Sequence, residues 1–256
     1  PPNVHLFSLS FSFFAAAGLM FLTAMMMGAR YLPILVHSGF RSPVGWTITH
    51  MMTLGFMTML AMGASFQLIQ VILQTKLFSR SLGFVQFAAY VLSLAIMLPS
   101  FFAGSSAGIG AGGSLIAVAV LLYIINLAAT MIRERKWNVF VFGLIFNLLA
   151  LLFAVCFGIG MGIYSRMGWG VLSYEQLFHS HLWFSLGGWM TGLIITFSFK
   201  LLPMFYISAK KADAEAWYIV GLFHAGIWLQ VFTIWHPTDL LKIFSIACLA
   251  ISIMLF

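Results

Sequence analysis

The chain of 256 residues is a succession of long apolar stretches separated only by short polar or Gly/Pro-rich segments. A stretch of about 18 or more apolar residues with almost no charge is long enough to cross a bilayer as a helix. Such stretches recur at roughly 6–32, 46–74, 82–103, 113–132, 137–164, 175–207, 214–235 and 239–256. Only 7% of residues are charged, where a soluble domain carries about a quarter. The mean hydropathy is +1.07. Lipid offers backbone N–H and C=O groups no partners, so each spanning segment must bond to itself as a helix. The expected fold is all-α: an integral membrane bundle of about eight transmembrane helices.

The connections are short, so residues 1–256 are expected to form a single transmembrane domain. The chain opens without Met and stops inside the apolar run 246–256, and one or both ends are expected to be incomplete. The run 104–113 (GSSAGIGAGG) reads as a flexible turn; with no Lys and no preceding strand, it is not a phosphate loop. The net charge is +7, but the basic residues are scattered over the loops rather than set in a stripe. That pattern signals topology and headgroup contact, not nucleic acid. Lys76, Arg80, Arg133, Arg135, Lys136, Lys210 and Lys211 fall on one side, against Arg30, Arg41, Arg166 and Lys242 on the other. This asymmetry predicts both termini on the cytoplasmic side of the membrane, which the cytochrome reading below makes an energy-transducing one.

Two spans echo one another. Residues 54–71 read LGFMTMLAMGASFQLIQV and residues 187–204 read GGWMTGLIITFSFKLLPM. Aligned without gaps, they share Gly55/Gly188, Met57/Met190, Thr58/Thr191, Leu60/Leu193, Ser65/Ser198, Phe66/Phe199 and Leu68/Leu201. The copies lie in the second and sixth predicted spans, which predicts a parallel 4+4 helix repeat.

Ionisable residues inside a membrane are costly, which makes each one a candidate for function. His50, His179 and His181 fall in the first turns of the second and sixth predicted spans, about 6–9 Å below the outer boundary by helical rise. Histidines at one depth on parallel helices are what a bis-imidazole haem requires. His179 and His181, two residues apart, point about 200° from each other and can serve only separate groups. Arg30, Arg41 and Arg166 lie on the same outer side, where a guanidinium can bind a haem propionate through paired hydrogen bonds. His224, near the middle of the seventh predicted span, is a further candidate for a second haem or a copper ion. Its depth of about 18 Å, against about 6 Å for His179, argues against these two facing each other across one iron. Lys200 and Gln67 occupy matching positions in the two repeat copies and could line a polar pocket for a quinone or a proton. Met25, Met26 and Met27 spread around a helix and cannot converge on copper, so the Met clusters read as packing. Cys156 and Cys248 sit in apolar runs without a Cys-x-x-Cys-His haem-attachment pattern.

The helix-two His followed by LGFMTM, together with the later HSHLWFSLGGWMTG…FKLLPMF, resembles the catalytic subunit of haem-copper oxidases and nitric-oxide reductases. It looks closer to their small membrane haem-protein relatives. The resemblance implies that His50 and His181 hold one b-type haem and that His179 binds a second. The chain has no His-His pair and no His-Pro-Glu-Val-Tyr stretch, so oxygen reduction at a haem-copper centre is not expected, and copper is not supported. The expected function is a membrane b-type cytochrome with one or two haems near the outer face. It would pass electrons between the quinol pool and another subunit of a membrane redox complex, as a component of an oxidoreductase. Two other readings stay open: handling of nitric oxide or another diatomic gas at a His179-bound haem, and a transporter or membrane anchor without a cofactor.

Overall fold

A computed structural model describes residues 4–167, 173–206 and 213–256, with side chains from 8 to 166, 173 to 206 and 214 to 256. Among the described residues the chain is helical with no strand. The helices are α1 (Val4–Arg30), α2 (Leu32–Ser38), α3 (Pro43–Leu73), α4 (Arg80–Ala103), α5 (Ser106–Glu134), α6 (Val139–Met167), α7 (Tyr174–Phe205), α8 (Asp213–Trp235) and α9 (Asp239–Leu255). Seven of them are long and apolar enough to cross a membrane. The eighth apolar helix, α9, has 17 residues, at the short end of what spans a hydrocarbon core. Large apolar side chains such as Met26, Val36, Ile132 and Ile243 face outward, as a surface bathed in lipid allows. The chain is an all-α integral membrane protein. Lys210 and Lys211, which carry part of the expected charge asymmetry, lie outside the described residues.

Local chemistry explains where the helices begin and end. Ser42 caps α3, its Oγ accepting from the Gly45 N–H at 3.2 Å. Ser79 caps α4 in the same way, accepting from Leu82 N–H at 3.1 Å. Ser and Thr inside the spans return their hydroxyl to a carbonyl one turn back, as Ser65 does to Ala61 and Thr23 to Leu19. Each such bond keeps a hydroxyl proton from facing lipid unpaired. The Gly-rich run differs from expectation: α5 begins at Ser106 and takes in most of it. Only Gly104 turns, at φ 67°, where it closes α4. The glycines that follow are contact positions. A Cβ on Gly112 would lie 2.5 Å from Met97 Cβ, and one on Gly108 would overlap Ser100. Small residues let membrane helices approach closely, and that gain outweighs glycine's poor helix propensity.

The contacts cluster in two compact units, one holding residues up to Glu134 with Ser165–Met167, the other Arg135–Tyr164 with Gly168–Phe256. In the first, α1 packs on α3, and the core gathers around Phe13, Phe66, Tyr90 and Tyr123. The connection from α3 to α4 is pinned to α5: Asn126 and Thr130 accept from the Ser79 and Phe78 N–H groups, each at 3.0 Å. In the second unit, α7 and α8 pack with α6 through Ala150, Phe184, Val220 and Ile227.

Each unit repeats the same crossing. In the first, the Cβ position of Gly55 lies 3.0 Å from Met20 Cβ, and that of Gly63 lies 2.8 Å from Phe13 Cβ. In the second, the Cβ position of Gly188 lies 2.6 Å from Ala150 Cβ, and Thr196 Oγ1 lies 2.5 Å from the Cβ position of Gly143. Both pairs step eight residues along one helix and seven back along its antiparallel neighbour. The 55/188 alignment also brings together two π-helical segments, Met51–Thr58 in α3 and Trp183–Thr191 in α7. Long π segments are rare and collect at functional sites.

Candidate functional site

His50 is the eighth residue of α3 and the last before its π segment. It is half-buried, and its Nδ1 lies 2.7 Å from the carbonyl oxygen of Trp46. Its ring stacks on Phe101 of α4, with centroids 4.5 Å apart and planes at 22°. A carbonyl can only accept, so Nδ1 carries the proton and the lone pair of the neutral ring is on Nε2. That is the tautomer a metal ligand needs, with the other ring nitrogen fixed by a backbone acceptor.

His181 is the eighth residue of α7 and lies two before its π segment; in the 55/188 alignment the residue opposite His50 is Trp183. Its Nδ1 lies 2.7 Å from the carbonyl oxygen of Ala154 on α6. That carbonyl already serves the α6 backbone ladder, and Gly158 one turn on leaves room for a second donor. A Cβ on Gly158 would come 3.3 Å from His181 Cε1. Two side-chain bonds to α8 hold this end of α7. Trp235 Nε1–H donates to Ser180 Oγ at 3.0 Å, and Gln176 donates to the Ile234 carbonyl at 3.0 Å.

His179 points elsewhere. Its side chain is 54% exposed, and Nε2 lies 3.6 Å from Glu175 one turn earlier. His179 and His181 thus serve opposite sides of α7, as their spacing requires. Arg30, Arg41 and Arg166 are all exposed at helix ends or in loops; Arg30 lies over the Tyr31 ring at 5.6 Å. Lys200 is half-buried in α7 and Gln67 is exposed on α3, each within its own unit.

His224 of α8 is 2% exposed. Among the described residues neither of its ring nitrogens has a hydrogen-bond partner. Its ring stacks on Phe146 of α6 at 5.4 Å and 29°. Gly192 of α7 separates it from Asn147 of α6: His224 Cε1 lies 3.3 Å from the Cβ position of Gly192, and Asn147 Oδ1 would overlap that Cβ. Asn147 donates through Nδ2 to Thr196 Oγ1 at 3.1 Å, while its Oδ1 is buried without a partner. Sequence reasoning passed over Asn147, although an amide inside the run FGLIFNLLALLF is itself a signal. Ala154 gave no signal, because its part is played by its backbone.

Among the described residues no group of three or more His, Cys, Asp or Glu side chains is placed to hold a metal ion. A haem asks less of the protein: one or two axial side chains, a fixed tautomer and an apolar surround. His50 and His181 each have the fixed tautomer, through Nδ1 on a backbone carbonyl at 2.7 Å. Comparison with protein-family models, with curated proteins and with solved structures returns no match.

Proposed function

We propose that the protein is a membrane b-type cytochrome, in which His50 of the first unit and His181 of the second each offer an imidazole nitrogen to haem iron, passing electrons from a membrane quinol to a partner redox subunit. The observation that carries this reading is the shared second contact. Each ring fixes Nδ1–H on a backbone carbonyl at 2.7 Å and keeps its lone pair on Nε2. The acceptor is Trp46 of the same helix for His50 and Ala154 of the neighbouring helix for His181, and each puts the imidazole in the tautomer that metal ligation uses. A haem bound there would cycle one electron between the ferric and ferrous states. The chain's own part is to present two basic nitrogens, fix their ring planes and exclude water. A carbonyl on Nδ1–H makes the imidazole more electron-rich, which favours ferric iron and lowers the potential. The small mass outside the spans fits a subunit that hands electrons to another chain.

Electron paramagnetic resonance of the oxidised protein tests this reading. Strong-field imidazole ligation gives a low-spin ferric signal, and His181→Ala is expected to convert it to high spin or abolish it. An unchanged signal in both His50→Ala and His181→Ala contradicts the assignment.

A further inference from the structure

The second unit has polar atoms in its interior that its own fold does not satisfy. Among the described residues, both nitrogens of His224, Oδ1 of Asn147 and Nε1 of Trp228 are buried without a partner. An unpaired buried donor or acceptor costs about 1–3 kcal/mol. Three such side chains beside one another mark a place built for a guest.

Their surroundings define the guest. Among the described residues, the rings packed on His224 and Trp228 are those of Phe146, Phe153, Phe184 and Phe223, a surround that favours a neutral guest. It must both donate and accept, because Trp228 only donates, Asn147 Oδ1 only accepts, and imidazole does one of each. His224 and Trp228 lie one turn apart on α8, about 6 Å by helical rise. A flat ring with an oxygen at each end spans a separation of that order and can bond to both side chains at once. The walls are aromatic and continuous. Phe146 stacks on His224 and lies 6.3 Å from Trp228. Phe153, 5.2 Å from Trp228, is 38% exposed. A molecule dissolved in lipid therefore meets an aromatic edge with unpaired polar atoms directly behind it.

We propose that His224, Asn147 and Trp228 form the head-group site for a quinone or quinol in the second unit, between α6 and α8. Its flat ring lies against Phe146. One ring oxygen accepts from Trp228 Nε1–H, and the other bonds to His224 and, as the hydroxyl, donates to Asn147 Oδ1. This rests on the cytochrome reading only for the identity of the electron donor. It moves the quinone site from the expected Lys200 and Gln67 to residues whose bonding capacity is unspent.

The test is calorimetric titration of the purified full-length protein in detergent with ubiquinone-1, with haem per chain measured on the same samples. Saturable binding near one molecule per chain is expected. It should weaken about tenfold or more in His224→Phe and in Asn147→Leu, each of which leaves a buried partner unsatisfied. His224→Gln, which keeps a donor and an acceptor, should lose less. Asn147→Leu gives an independent reading if His224→Phe does not fold. Absence of saturable binding by the wild type overturns the proposal, as does an affinity unchanged within about twofold in both variants. Binding lost in Lys200→Gln but kept in His224→Phe overturns it as well. Haem retained alongside lost quinone binding separates this site from the iron ligands. A colourless wild type that still binds ubiquinone-1 removes the cytochrome reading alone.

Discussion

Nδ1 of His181 lies 2.7 Å from the backbone oxygen of Ala154, on the neighbouring helix and 27 residues earlier in the chain. This bond sets the ring's tautomer and its plane, and it exists because Gly158 leaves the Ala154 carbonyl uncovered. The His181 ring is therefore placed by a carbonyl on one helix and by a missing side chain one turn away.

Gly158→Val should break that arrangement. Its Cβ alone would sit 3.3 Å from His181 Cε1 and 3.4 Å from Nδ1, and the added methyl groups would displace the ring. Haem affinity should fall roughly tenfold or more, with helix content by circular dichroism unchanged. Wild-type haem content in this variant would show that the carbonyl contact does not position a ligand.

The repeated crossing predicts unequal costs at two matched glycines. Gly188→Ala puts a methyl group 2.6 Å from Ala150 Cβ, which cannot move without its backbone. Overpacking of that kind costs about 1–3 kcal/mol. Gly55→Ala meets Met20 Cβ and Cγ at the longer distance of 3.0 Å and should cost less. Thermal unfolding in detergent should show a lower midpoint for Gly188→Ala than for Gly55→Ala.

Trp235→Phe removes the indole N–H that Ser180 Oγ accepts from across the end of α7. The bond contributes about 0.5–1.5 kcal/mol, so the unfolding midpoint should drop. Because Ser180 adjoins His181, the midpoint potential of the reduced-minus-oxidised titration should shift too. A stability loss without a shift would confine the bond to packing.

His179→Ala should be nearly silent for stability. The pair with Glu175 is half exposed, and exposed pairs of this spacing contribute under about 0.5 kcal/mol. Chemical denaturation of the variant and the wild type should coincide within that margin.

The spans were readable because charge is nearly absent over stretches longer than a bilayer is thick, and that pattern has one folded solution. The repeat was readable from Gly55 and Gly188, which sit at equivalent helix crossings. The run 106–113 misled, since glycines that signal a turn in water are contact positions between membrane helices, as Gly112 against Met97 shows. The π segments were illegible because their register follows from packing rather than local propensity. Histidine identity and depth pointed to His50 and His181, but their acceptors are backbone atoms, which leave no mark in the residue pattern. For His224 the sequence supplied the residue; its unpaired neighbours on α6 and α8 emerged only once the helices were packed.

The most direct test of the cytochrome assignment is a dithionite-reduced minus oxidised pyridine haemochrome spectrum of protein purified from haem-replete cells, with haem quantified per chain. The account predicts a b-type spectrum whose haem content falls in His50→Ala and in His181→Ala, while Lys242→Ala, at an exposed position on α9, leaves it unchanged. A colourless wild-type protein, or one whose haem survives both histidine substitutions, would contradict it.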